Sequence, residues 1–116
     1  MDSAQYQPQR VRRYPFAAAV VIREPATGVE TQGLATDLSE GGCFVLTRRL
    51  FDRDTRLLLT IKKKDSTLST PVLVAHSQKM GGMGLAFVET PEDQQAVLKG
   101  WLDALNPAMR MDLTRA

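Results

Sequence analysis

Two short stretches hold residue types that could do chemistry together. Asp37-Leu38-Ser39-Glu40-Gly41-Gly42 puts a carboxylate, a hydroxyl and two glycines into one tight turn between apolar runs. Asp or Ser side chains in such a turn can cap its own backbone, and the glycines allow positive φ and a close approach to the main chain. Turns of this composition often serve structure alone, so the stretch takes its meaning from its company. Upstream, Arg10-Val11-Arg12-Arg13 sets three arginines in four residues, followed by Tyr14-Pro15, where the proline forces Tyr14 toward extended geometry. That run is either a solvated charge cluster or a basic arm entering the domain. The two stretches are chemically complementary. Arginine forks meet phosphates bidentately and stack on purines, while Asp37 and Ser39 can hydrogen-bond the donor-rich edge of a guanine. A guanine-containing phosphodiester uses both halves.

Other chemistries find little support. The lone Cys43 excludes an intramolecular disulfide and, with a single histidine, leaves no Cys/His set for zinc. His76 sits in a strand-like run with no visible partner to orient it as a base, and Cys43 reads as a small buried hydrophobe rather than a nucleophile. Gly81-Gly82-Met83-Gly84 mimics a dinucleotide fingerprint but leads into a strand rather than a helix, so tight backbone packing explains it better. The expectation is that the chain is not an enzyme, with no catalytic residue, no metal site and no cofactor. Fifteen Lys and Arg stand against 13 Asp and Glu, a net charge of +2, so any anion site must come from local clustering. Met1 to Gln9 holds no apolar signal core, and the longest apolar run, Phe16 to Ile22, is far too short for a membrane span. A cytoplasmic chain without membrane insertion is the expectation.

The elements that must position these residues are read from periodicity. Phe16 to Arg23 forms a first strand, followed by turn residues Pro25 and Gly28. Glu30 to Asp37 alternates weakly and ends in the Asp37–Gly42 turn, after which Cys43 to Thr47 has strand composition and can pair back as a hairpin. Thr55 to Lys62 alternates with Leu57, Leu59 and Ile61 on one face, broken only by Leu58. Lys62-Lys63-Lys64-Asp65 reads as a hairpin tip or edge protection, with an interaction patch as the alternative. Thr67 to Ser77 holds a further strand, with Pro71 to His76 inside it and the proline expected at an edge or beginning, and Gly81 to Val88 another. Thr90-Pro91-Glu92-Asp93 predicts a helix with Thr90 as N-cap, and Val97, Leu98, Trp101, Leu102 and Leu105 give it an apolar face that ends at Asn106-Pro107. About six strands followed by one helix, with no βαβ alternation, predict a mainly β fold: an antiparallel β-barrel sealed by a C-terminal helix.

The combination resembles the PilZ domain, the bacterial receptor module for cyclic di-GMP. PilZ domains are similar in carrying an R-x-x-x-R arm just before the first strand, a [D/N]-x-S-x-x-G loop after the second, and a six-stranded barrel with a C-terminal helix. Asp37, Ser39 and Gly42 match the loop in full, and the flanking L-S-E-G-G-C-F-V also looks like the family. The resemblance spans roughly Arg10 to Leu105. With Arg13 as the second arginine of the arm, the first falls at residue 9, where this chain has Gln9; the spacing Arg10-x-x-Arg13 is one residue short.

The resemblance implies a domain at 10–106 between a flexible N-terminal tail, 1–9, and a C-terminal tail, 107–116. It implies cyclic di-GMP as ligand, with Arg10, Arg12 and Arg13 meeting phosphates and stacking on guanine. Asp37 and Ser39 would read guanine, and Gly42 would permit close main-chain approach. Ordering of the arm from Gln9 to Arg13 on binding would pass the signal to an effector protein in a bacterial cytoplasm, the receptor being a monomer or homodimer. Degenerate members of the family act as protein adaptors without nucleotide, and Gln9 makes that the alternative. Binding of a nucleic-acid polymer is disfavoured by the near-balanced charge and few aromatics.

Overall fold

The computed structural model describes residues 12–78 and 81–106. Six strands and one helix follow in chain order: β1 (Arg13–Arg23), β2 (Glu30–Ser39), β3 (Gly42–Thr47), β4 (Arg56–Lys63), β5 (Ser66–Gln78), β6 (Gly82–Phe87) and α1 (Glu92–Leu105). All neighbours pair antiparallel, and the sheet closes in the order β1-β2-β3-β6-β5-β4 with β4 returning to β1. Among the described residues closure leaves no free sheet edge for another chain to extend. The predicted barrel and C-terminal helix are both present. The tails at 1–9 and 107–116, and Arg10 of the arm, lie outside the described residues.

Period-2 alternation builds the core. In β1, Phe16, Ala18, Val20 and Ile22 point inward, and in β4 Leu57, Leu59 and Ile61 do the same. Burying an aliphatic side chain of this size contributes about 1.5–3 kcal/mol, so truncation of the fully enclosed Leu59 to Ala is the kind of change that unmakes the barrel. Leu58, the break in the pattern, faces outward opposite Pro71 of β5.

Three expectations are corrected. β1 begins at Arg13, before Phe16: Arg13, Tyr14 and Pro15 pair with Ser39, Leu38 and Asp37, so the end of the arm is already strand. β2 runs through Ser39, leaving only Glu40 and Gly41 to turn the hairpin, so Asp37 and Ser39 are strand residues rather than turn residues. Its alternation is weak because the β2–β3 register slips between Ala35 and Asp37, which lets Ala35 and Leu38, three apart, both face the core. Thr90 does not cap α1. Its hydroxyl is shared with Thr70 Oγ1 at 2.8 Å, and Pro91 occupies the N-cap, its carbonyl accepting the Gln94 and Gln95 N–H groups.

Helix α1 seals the barrel end at the start of β1. Leu98 is buried, Val97, Trp101, Leu102 and Leu105 pack partly on the core, and the Trp101 ring lies 5.4 Å from that of Phe16. Gln94 Oε1 accepts the Ser69 N–H at 2.7 Å, satisfying β5 upstream of its pairing with β6. The lysine run is a hairpin tip: Lys63 donates to the Ala17 carbonyl at 2.7 Å and lies over the Phe16 ring, while Lys64 and Asp65 turn the chain.

Candidate functional site

The β2–β3 hairpin and the start of β1 bring four of the predicted site residues together. Ser39 is buried, and its Oγ accepts the Gly41 and Gly42 N–H groups and donates to the Gly42 carbonyl, each at 3.2 Å. A hydroxyl has one donor and two acceptor positions, so Ser39 is fully engaged in holding its own hairpin. Asp37 Oδ1 accepts the Phe44 N–H at 3.0 Å, across the register slip, and Oδ2 lies 3.5 Å from Arg13 Nη1. Arg13 is half exposed, and Arg12 stands exposed just ahead of β1.

Neither Gly41 nor Gly42 adopts a positive φ. What Gly42 supplies is absence of a side chain: a Cβ there would fall on the Leu85 carbonyl oxygen of β6. Its closest approach is therefore to the barrel's own backbone. Cys43, next in the chain, is buried in the core, and burial pushes its thiol up to about 12, helped by the Asp37 carboxylate and opposed by Arg13. A thiol so protonated is no nucleophile at neutral pH.

These residues open onto a groove of about 430 Å³. Arg13, Ser39, Gly41 and Gly42 line one side; Arg53 and Asp54, from the turn between β3 and β4, together with His76 of β5, line the other. Sequence reasoning missed this second wall. Beside it, the Phe44 and His76 rings lie 6.1 Å apart over β6, and Cβ atoms added at Gly82 or Gly84 would collide with Phe44 or His76 respectively. The readable signal was the Gly82-x-Gly84 spacing, which bares one face of a strand for rings from its neighbours. A wider, shallower depression of about 1150 Å³ lies over β2 and β3 around Leu34, Leu46 and Arg48. Volume does not make it the site, because Arg13 lines the smaller groove with Asp37 beside it.

Among the described residues no group of three or more His, Cys, Asp or Glu is placed to hold a metal ion, and no helix is long and apolar enough to cross a membrane. The arrangement offers the Arg13 guanidinium with Asp37 Oδ2 beside it, Arg53 and Asp54 on the same groove, and a concave floor beside bare backbone. That set suits an anion carrying planar hydrogen-bond donors.

Comparison with known proteins bears on the fold and the family. The PilZ domain of YcgR from Escherichia coli, solved with c-di-GMP, superposes with a TM-score of 0.69 at 12% identity, over 95% of this chain and 100% of that one. The PilZ domain of CeSA from a cellulose-synthesizing bacterium gives 0.63 at 17% identity, over 75% of this chain and 90% of that one. The Bacillus subtilis inhibitor of motility, MotI/DgrA, gives 0.66 at 20% identity over 94% of this chain, which spans 53% of that protein. A search of the curated proteins finds no match. At these identities the superpositions speak to fold, while the PilZ domain family model matches residues 7–104 of the sequence. The chain is a member of the PilZ domain family.

Proposed function

We propose that this PilZ domain is a receptor for cyclic di-GMP that passes the level of the nucleotide to a partner protein. The observation that carries the reading is the Arg13–Asp37 pair, 3.5 Å apart and exposed enough to exchange partners, of which Arg13 lines the groove. A phosphate takes the Arg13 fork, and Asp37 Oδ2, released from Arg13, accepts from the Watson–Crick edge of a guanine. Arg10 and Arg12 follow Arg13 onto phosphate and base. Ordering of the arm ahead of β1, from residue 9 up to Arg13, over the barrel is then the change that a partner surface reads. Ser39 and Gly42 support the site by fixing the hairpin and its approach to β6.

A second reading rests on one observation: Gln9 stands where the family arm has its first arginine. It makes the chain an adaptor that binds its protein partner without nucleotide. Isothermal titration with cyclic di-GMP separates the two. The receptor reading expects saturable binding that falls by about tenfold or more in Arg13→Ala and rises in Gln9→Arg. Absence of saturable heat from the natural chain, with binding created by Gln9→Arg, establishes the adaptor.

A further inference from the structure

The groove has a second charged wall, and it is built from rigid parts. Arg53 and Asp54 line it opposite Arg13 and Ser39. Their turn is pinned to β5, with Asp54 N–H donating to the Val74 carbonyl at 2.8 Å and Val74 N–H to the Thr55 carbonyl at 3.1 Å. Ser77 Oγ donates to the Phe51 carbonyl at 2.6 Å at the other side of the turn. Asp54 itself sits at φ 70, a left-handed conformation that Asp and Asn tolerate better than most residues.

Among the described residues, neither the Arg53 nor the Asp54 side chain has a hydrogen bond or ion pair. Arg56 and Lys99 are paired with Glu89 and Asp103, while Arg23 and Lys62, like Arg53, have no such partner among the described residues; what sets Arg53 and Asp54 apart is their place on the groove. A pinned backbone thus presents an unpaired guanidinium and an unpaired carboxylate into the groove that Arg13, with Asp37 3.5 Å from it, also lines.

Cyclic di-GMP is a two-fold molecule, with two phosphates and two guanines. We infer that Arg53 and Asp54 form the second half of the binding site, Arg53 taking a phosphate and Asp54 the donor edge of the second guanine. This inference rests on the receptor reading above. It also bears on the arm: where the sequence has Gln9 in place of an arginine, Arg53 brings a further guanidinium to the groove. Fork-to-phosphate and carboxylate-to-guanine contacts are both charge-assisted and directional, so each has its own signature in binding.

The test is titration of the full chain with cyclic di-GMP and, separately, cyclic di-AMP, for the natural protein and for Arg53→Ala, Arg53→Lys and Asp54→Asn, with melting temperature recorded for each. Asn keeps the left-handed backbone position while removing the charge. Arg53→Ala is expected to weaken cyclic di-GMP binding by about tenfold or more and flatten its salt dependence at an unchanged melting temperature, with Arg53→Lys recovering part of the loss. Asp54→Asn is expected to narrow the preference for cyclic di-GMP over cyclic di-AMP. Binding by Arg53→Ala within about twofold of the natural chain overturns the second wall and leaves the receptor reading standing. An unchanged preference in Asp54→Asn overturns the guanine assignment. Absence of binding by the natural chain overturns both the receptor reading and this inference.

Discussion

Asp37 holds Phe44 across the β2–β3 ladder, its Oδ1 accepting the Phe44 N–H at 3.0 Å where the pairing register slips. The same carboxylate reaches Arg13 with its other oxygen, so one residue both stabilises the hairpin and equips the groove. Two substitutions pull these roles apart. Asp37→Ala leaves a half-buried N–H without its partner and is expected to cost about 1–2 kcal/mol of stability as well as nucleotide affinity. Asp37→Asn keeps an oxygen for Phe44 but removes the charge that Arg13 and a guanine recognise. Thermal melting of Asp37→Asn should stay close to that of the natural chain while cyclic di-GMP binding falls by about tenfold. Equal melting loss in both variants would show that the charge itself supports the hairpin.

The glycines differ in what they protect. At Gly42 an added Cβ meets the carbonyl of Leu85, a backbone atom one pair in from the end of the β3–β6 ladder. At Gly82 it meets only the far end of the Phe44 ring, which can swing away. Gly42→Ala is therefore expected to destabilise by about 3 kcal/mol or more, and Gly82→Ala by about 1 kcal/mol. Chemical denaturation of the two variants checks the ranking. Phe44→Ala in the Gly82→Ala background should remove most of the smaller penalty, because nothing else at Gly82 is crowded to the same degree.

The barrel was legible because its strands show themselves by alternation or by composition. Leu57, Leu59 and Ile61 in β4, against Arg56, Thr60 and Lys62, announce an inner face by residue type, whereas β1 is apolar at every position from Phe16 to Ile22 and declares itself as strand by composition, its inner face appearing only in the fold. Legibility fails at the bulges. The slip between Ala35 and Asp37 puts Ala35 and Leu38 on one face, so a strict period of two undercounts β2 and turns its last residues into apparent loop. The site was legible by half. Asp37, Ser39 and Gly42 lie within six residues and, with the arginine run upstream, carry a recognisable pattern, whereas Arg53, Asp54 and His76 belong to no pattern and reach the groove only through closure of the barrel. Nothing local in a charged turn says which strand ends it faces. Thr90 misled for a similar reason: its capping chemistry is right, but Thr70, 20 residues away in sequence, takes the hydroxyl.

Trp101 tests how α1 is attached. Its ring stacks at 33° on Phe16, whose other neighbour is the Lys63 ammonium 5.1 Å from the ring centroid. Since Trp101 is only partly buried, Trp101→Ala should cost about 1–3 kcal/mol rather than the roughly 3–5 kcal/mol of a fully enclosed aromatic. Leu98→Ala, at the buried contact of the helix, should cost as much or more although the side chain is smaller. Denaturant midpoints for the pair check this. A negligible loss in both would mean that α1 rests on the barrel without stabilising it.

Cys43 ties stability to alkaline pH. Burial raises its pKa in the folded chain to about 12, from 9.0 for an ordinary thiol, with Asp37 adding to the rise and Arg13 opposing it. The folded state thus holds the proton more tightly than the unfolded state. This contribution is fully present below pH 9 and is lost as pH rises from about 9 toward about 12, because the unfolded chain ionises first. Within that window the slope approaches about 1.4 kcal/mol per pH unit for one proton. Lysines and tyrosines titrate there as well, so the measurement is a difference: urea unfolding of the natural chain and of Cys43→Ala at pH 8, 9.5 and 10.5. Cys43→Ala should start less stable, since it leaves a small void in the core, and then decline more gently. Parallel curves would show that the thiol ionises equally in both states. The same burial should slow iodoacetamide labelling of the native chain at pH 8 by orders of magnitude relative to the chain in urea.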